Sequence, residues 1–226
     1  MEKEAIEKRY GELVEKLIFS RNPDGFWTGR LSTSALATSV AIVALRLSGE
    51  PEDAARVDAG FSWLCRNINA DGGYGDTPES LSNVSTTLLC YSAVHFCRKG
   101  DAGDMTLGKM ERWLSAKGIE IGSPGVVKSI LDVYGRDYTF SVPILSMLTL
   151  CGVLPQSSLS GIPGLPFELT LLPASFYRFL NLRVVSYALP ALIGVGIYLH
   201  RKRSSLRSLF SRIREKFVRP AVRKLD

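Results

Sequence analysis

The chain has 226 residues, 24.8 kDa, with 46% hydrophobic and 22% charged positions. That composition excludes a disordered or collagen-like chain and sets one domain, or two small ones, as the expectation. Its net charge of +6 is unevenly placed: residues 200–226 carry ten Lys or Arg against two acids, net +8, and the preceding residues sum to −2. The basicity therefore belongs to a tail. Neither aromatic interleaving nor a groove-reading motif accompanies it, so nucleic acid is not an expected partner.

Residues 1–20 predict an amphipathic helix, with Ile6, Tyr10, Leu13 and Leu17 on one stripe between Glu and Lys. Asn22-Pro23-Asp24-Gly25 ends it in a turn, and Phe26-Trp27 follows. A second helix runs from a cap region at Ser32–Ser34 to Gly49; it is apolar nearly all round, so burial is expected. The pattern then recurs. A surface-type helix over 52–69 ends in Asn69-Ala70-Asp71-Gly72-Gly73-Tyr74-Gly75, and a buried helix follows from Ser82-Asn83 to His95.

From Asp24 to Asp71 is 47 residues, and from Trp63 to Trp113 is 50. A degenerate third copy begins at Glu111-Arg112-Trp113-Leu114, turns at Lys117-Gly118, and has Tyr138–Leu150 as its buried partner. A period near 50 with one striped and one apolar helix per unit means stacked helical hairpins. Inner helices that are apolar almost all round favour a partial or closing ring of two helix layers. The expected fold is therefore all-α, an α/α-toroid over residues 1–200, followed by a basic amphipathic tail over 201–226. Trp27, Trp63, Trp113 and the inner helices are expected to be buried.

Arg21-Asn22-Pro23-Asp24-Gly25-Phe26-Trp27 and Asn67-Ile68-Asn69-Ala70-Asp71-Gly72-Gly73-Tyr74 resemble the Gln-Trp repeats of squalene–hopene cyclases and other class II triterpene cyclases. Leu165-Pro166-Phe167-Glu168-Leu169-Thr170-Leu171-Leu172-Pro173 resembles the family's Pro-Pro-Glu-type segment, and Val185-Ser186-Tyr187-Ala188-Leu189-Pro190 its Ser-Trp-Ala-Arg-type helix. The resemblance covers the chain to about residue 200 in the family's order. It departs where Arg21 and Asn67 stand in place of Gln, and where Tyr74 and Tyr187 stand in place of Trp. Ser39, Val40 and Leu89 occupy places where family enzymes carry acids. The family's Asp-x-Asp-Asp acid motif does not occur; the nearest clustering, Gly100-Asp101-Ala102-Gly103-Asp104, is expected to be a loop.

The resemblance implies proton-initiated cyclisation of a linear polyprenoid, an isomerase-type reaction without a cofactor, in the complete family protein. Protonating an alkene requires an unusually acidic carboxyl in a dry cavity. No residue here is assigned as catalytic, and the chain alone is expected to be inactive. Its expected partners are a hydrophobic isoprenoid, an anionic membrane surface and a C-terminal cyclase half. A non-catalytic helical ring that binds a hydrophobic ligand or protein partner is the alternative.

By the same resemblance Phe167, Glu168 and Tyr187 are candidates for lining a hydrocarbon channel. Read from the residues alone, Glu168 also suits a helix start after Pro166, and Tyr187 suits simple packing. Asp24 and Asp71 suit turns, and His95 a packed or capping role. Cys65, Cys90, Cys97 and Cys151 form no CxxC pair and, with only two histidines, no zinc cluster. They are expected to be free thiols in a reduced cytosolic compartment. The charged start Met1-Glu2-Lys3-Glu4 is unlike a signal peptide.

The apolar window 184–199 is short for a span and contains Pro190, so a ring helix is expected, with a single-span protein as the alternative. In the tail, Leu206, Leu209, Phe210, Ile213 and Phe217 share a helical face, with Arg207 among the basic residues around it. That arrangement suits an interfacial helix on anionic lipid, a peripheral habit, or a linker helix packing on the ring or on downstream sequence.

Overall fold

A computed structural model of the chain describes residues 2–29, 31–135, 138–161, 164–179, 189–203 and 209–225. All the regular structure among them is helical, with no strand. The chain divides into two compact units, Met1–Thr33 and Ser34–Asp226.

The first unit is α1 (Glu2–Phe19) and the turn after it. Ile6, Tyr10, Leu13 and Leu17 all lie on its exposed surface. In the turn, Asn22 N–H donates to Phe26 O and Gly25 N–H to Asn22 O, with Gly25 at φ 87°. Trp27 is exposed, contrary to expectation. Its indole N–H donates to Leu17 O at 2.7 Å and Arg21 stands 6.0 Å from its ring, so the ring closes the end of α1 instead of entering a core.

The second unit holds α2 (Ala35–Ser48), α3 (Ala54–Arg66), α4 (Val84–Cys97), α5 (Gly100–Ser115), α6 (Val126–Tyr134) and α7 (Tyr138–Leu150). Two 3-10 helices, Gln156–Gly161 and Phe167–Leu171, follow, then α8 (Ala174–Phe179), α9 (Leu189–Arg203) and α10 (Leu209–Val222). Two layers are visible. Inner helix α4 packs against both α2 and α7, while α3 covers α2, α5 covers α4 and α6 covers α7. This is the helical-hairpin arrangement of the α/α-toroid type. Ser34 starts α2 by accepting from Ala37 N–H, and Asn83 starts α4 by accepting from Thr86 N–H. Gly49, at φ 75°, ends α2.

Burial follows the layers. Helix α4 is buried on nearly every side, including Leu88, Cys90, Ala93 and Val94. Helix α2 buries Ala35, Ser39, Ile42 and Val43 but leaves Val40 and Leu47 exposed, so it is less enclosed than its composition suggests. Trp113 is buried and Trp63 half-buried. Gly100–Asp104 is not a loop; it is the first turn of α5, where Asp101 complements the helix dipole. Helix α6, between the third turn and its inner partner, has no counterpart in the repeat pattern.

A second, smaller core lies apart from the main one. Phe167 (fully buried), Ile193, Val218 and Ala221 form it, with Leu171 and Ile197 around them. Three elements build it: the 3-10 helix Phe167–Leu171, α9 and α10.

Candidate functional site

Two places concentrate polar contacts. The first is the turn between α3 and α4. Asn69 N–H donates to Gly73 O and Gly72 N–H to Asn69 O, repeating the hydrogen bonds of Asn22, Gly25 and Phe26 in the first unit at the same spacing. Gly72 is at φ 90°, matching Gly25. The Asp71 carboxylate accepts from Gly73 N–H, Ser82 Oγ and the Trp113 indole. Tyr74 is buried; its hydroxyl donates to Leu64 O at 2.6 Å and its N–H to Thr87 Oγ1. Asp76 accepts from Thr86 Oγ1 at 2.6 Å and Asn83 Nδ2 at 2.9 Å.

Neither aspartate is arranged as a proton donor. Burial raises the pKa of Asp71, but the donors from Gly73, Ser82 and Trp113 outweigh it and hold the carboxyl below its usual range. The Thr86 hydroxyl, aided by Asn83, does the same for Asp76. Both are therefore ionised at neutral pH and have no proton to transfer. His95 stacks on Tyr91 with ring centroids 6.3 Å apart, and burial together with Arg98 lowers its pKa. Tyr91 donates its hydroxyl to Glu111 at 2.7 Å. Among the described residues, no three of His, Cys, Asp and Glu converge as metal ligands.

The second place surrounds the smaller core. Glu168 stands in the first turn of its 3-10 helix, after Pro166, and is gripped by Arg214 of α10: Arg214 Nε bonds Oε1, and Nη2 lies 3.2 Å from Oε2 and 3.1 Å from Leu165 O. The guanidinium sits 5.0 Å from the Phe167 ring centroid. His200, whose side chain is 2% exposed, also meets Phe167, the ring centroids 5.8 Å apart. His200 Nε2 is 3.1 Å from Glu215 Oε2, and Arg201 pairs with the other oxygen of Glu215. Two neighbouring residues of α10, Arg214 and Glu215, thus make polar contacts around one aromatic ring.

The structure brings Phe167 and Glu168 together, and places Phe167 wholly inside the smaller core. Tyr187, Leu206 and Arg207 lie outside the described residues, as do the side chains of Leu209 and Phe210. Ile213 and Phe217 are exposed, 45% and 40%, beside exposed Arg212, Lys216 and Arg219. The opposite side of α10 buries Ser211, Val218 and Ala221. The sequence reading missed His200, Arg214 and Glu215 as partners. Their spacing carried no signal, because Glu168 and Arg214 are 46 residues apart and meet only in the fold. No helix among the described residues is long and apolar enough to cross a membrane; residues 184–188 lie outside them.

In the second unit, two layers of packed helices, with an Asp-Gly turn between α3 and α4 and a buried indole bonded to its aspartate, form a domain of the α/α-toroid type. The sequence profile of the squalene-hopene cyclase N-terminal domain matches residues 12–119, from α1 through the turn after α5. Over these residues the chain is similar to that family's N-terminal domain. Comparisons with curated proteins and with solved structures gave no match.

Proposed function

We propose that the chain is the acid-free helical-repeat portion of a polyprenoid-cyclase-type protein. In this reading it holds a linear isoprenoid against apolar helix surfaces, while the proton donor comes from a C-terminal cyclase half. The match of residues 12–119 to the cyclase N-terminal domain carries the reading. The ionised state of Asp71 and Asp76, and the absence of an Asp-x-Asp-Asp motif from the sequence, support assigning the acid elsewhere. Incubation with squalene, with and without a cyclase C-terminal half bearing that motif, tests it by mass spectrometry of the products. Polycyclic product is expected only from the combination, and product from this chain alone overturns the assignment.

Helix α10 supports a second element of the reading, peripheral attachment to anionic membrane. Ile213 and Phe217 are exposed on the side away from the smaller core, flanked by Arg212, Lys216 and Arg219. Each basic side chain near an anionic surface contributes on the order of 1 kcal/mol, weakened by salt. Liposome flotation of the wild type and of an Ile213→Asp, Phe217→Asp variant tests it. Deleting the tail is a poorer test, since Val218 and Ala221 belong to the smaller core. The expected result is flotation that needs anionic lipid, weakens in high salt and is lost in the double variant. Equal flotation of both proteins overturns the attachment.

A further inference from the structure

We propose that two adjoining clefts beside the 3-10 helix Gln156–Gly161 bind a single-chain amphiphile with an anionic phosphate head. This site is independent of the cyclase reading and lies outside the matched residues 12–119.

The first cleft, of 570 Å³, is the head site. Its walls bring Lys202 and His200 of α9, Arg214 of α10, and Ser157 and Ser160 of the 3-10 helix to one space. No carboxylate is among its described lining residues: Glu168 and Glu215 hold Arg214 and His200 from outside it. Those two contacts fix the Arg214 and His200 side chains in place, so an anion meets an oriented wall and little side-chain entropy is lost on binding. Lys202 makes no ion pair among the described residues, and its ammonium supplies uncompensated charge. Gly196 of α9, also in its lining, packs close to the 165–167 segment: a Cβ there would stand 3.0 Å from Phe167 Cβ and 3.1 Å from Leu165 O.

The second cleft, of 670 Å³, is chemically different. Val126, Val127, Leu131, Val153, Leu154 and Pro155 supply its apolar lining, beside Lys128, Asp132 and several serines. Ser157 and Ser160 line both clefts, so the basic space and the apolar space adjoin at these two residues. Each volume falls within the range that holds a small organic ligand, roughly 300–1,000 Å³. A phosphate in the first cleft with one alkyl chain laid past the serines into the second satisfies both; a two-chain lipid has only one apolar cleft to enter.

The probe is dodecyl phosphate, titrated calorimetrically into the full chain below its micelle concentration, with inorganic phosphate and dodecyl maltoside as comparison ligands. Dodecyl phosphate is expected to bind at least tenfold more tightly than either. Lys202→Glu, which removes the head charge, and Ser157→Trp, which fills the junction, should each weaken it at least tenfold with helical circular dichroism unchanged. Both substitutions fall on exposed positions. Ile213→Asp, Phe217→Asp, which removes the outward face of α10, should leave binding intact. Inorganic phosphate binding as tightly overturns the two-cleft site, as does equal binding of the maltoside. Loss of binding in the α10 variant also overturns it, because the amphiphile then sits on the helix surface. So does undiminished binding by Lys202→Glu or Ser157→Trp, or no binding at all.

Discussion

Trp113 donates its indole N–H to Asp71 Oδ2 at 3.0 Å, tying the turn of one helical hairpin to the outer helix of the next. The other oxygen accepts from Gly73 N–H at 3.0 Å and Ser82 Oγ at 2.7 Å, so one carboxylate joins the turn, the approach to α4 and α5. The space is fully used: a Cβ on Gly73 would stand 2.7 Å from Ser82 Cβ and 2.8 Å from Trp113 Cε2. Trp113→Phe keeps most of the buried ring and removes the bond, so it should cost about 1–3 kcal/mol in urea unfolding. In that background Asp71→Asn should cost less than it does in the wild type. Equal costs in both backgrounds would show that the two residues are not coupled.

The same aspartates set an acid limb. Asp71 and Asp76 both have folded-state pKa values below the ordinary aspartate value. A depressed folded value gives stability that is present above the unfolded pKa of about 4 and lost as pH falls through the folded one. The wild type should therefore lose stability from about pH 4 downward. An Asp71→Asn, Asp76→Asn variant should be less stable at pH 7 and flatter across that limb. Parallel pH profiles of urea midpoints would refute the linkage.

What the sequence made legible is local. Ser34 and Asn83 cap the helices that their cap regions predicted, and Tyr138–Leu150 is the inner helix expected there. The Asp-Gly turns share their hydrogen bonds because turn chemistry is written in adjacent residues. Helix α6 has the apolar spacing 126, 127, 130, 131 and 134, so its signal was present, but a 50-residue repeat leaves it no place. The Arg214–Glu168 and His200–Glu215 pairs were not legible. A charged residue in a basic amphipathic tail looks solvated until the fold shows what it faces.

Close packing between α2 and α3 gives a separate test. A Cβ on Gly60 would stand 2.3 Å from Ile42 Cγ2, a branch that a helical isoleucine cannot readily rotate away. Gly60→Ala should therefore destabilise by about 1–3 kcal/mol despite a helix-propensity gain of about 1 kcal/mol. Adding Ile42→Ala removes the obstructing branch, so Gly60→Ala should be stabilising in that background. If thermal unfolding shows Gly60→Ala raising the melting temperature in both backgrounds, the helices do not approach as closely as described.

Burial should also protect the thiols. Cys90, Cys97 and Cys151 are buried, and desolvation raises each of them, Cys151 to about 12. Cys65 is only partly buried. At pH 8 a thiol-reactive disulfide reagent should titrate no more than one cysteine quickly in the native chain and all four in denaturant. Rapid reaction of two or more native thiols would place the inner layer in contact with solvent.

The grip of Arg214 on Glu168 should decide whether α10 stays docked. Their side chains are 18% and 22% exposed, between the surface pairs worth below about 1 kcal/mol and the buried pairs whose disruption costs about 3–5 kcal/mol. Arg214→Ala strips the Leu165 carbonyl and Glu168 of a shared donor and removes the cation over Phe167, so about 1–3 kcal/mol of docking should be lost. Glu168→Gln retains an acceptor for the guanidinium and should cost less. Amide exchange reads the difference: protection of residues 211–222 should fall sharply in Arg214→Ala and modestly in Glu168→Gln. Protection of α4 should be unchanged in both, because the smaller core is distinct from the main one. A loss spread evenly over α4 and α10 would mean that the tail helix belongs to the same cooperative unit as the repeats, and unchanged α10 protection would mean that Val218 and Ala221 hold it without the ion pair.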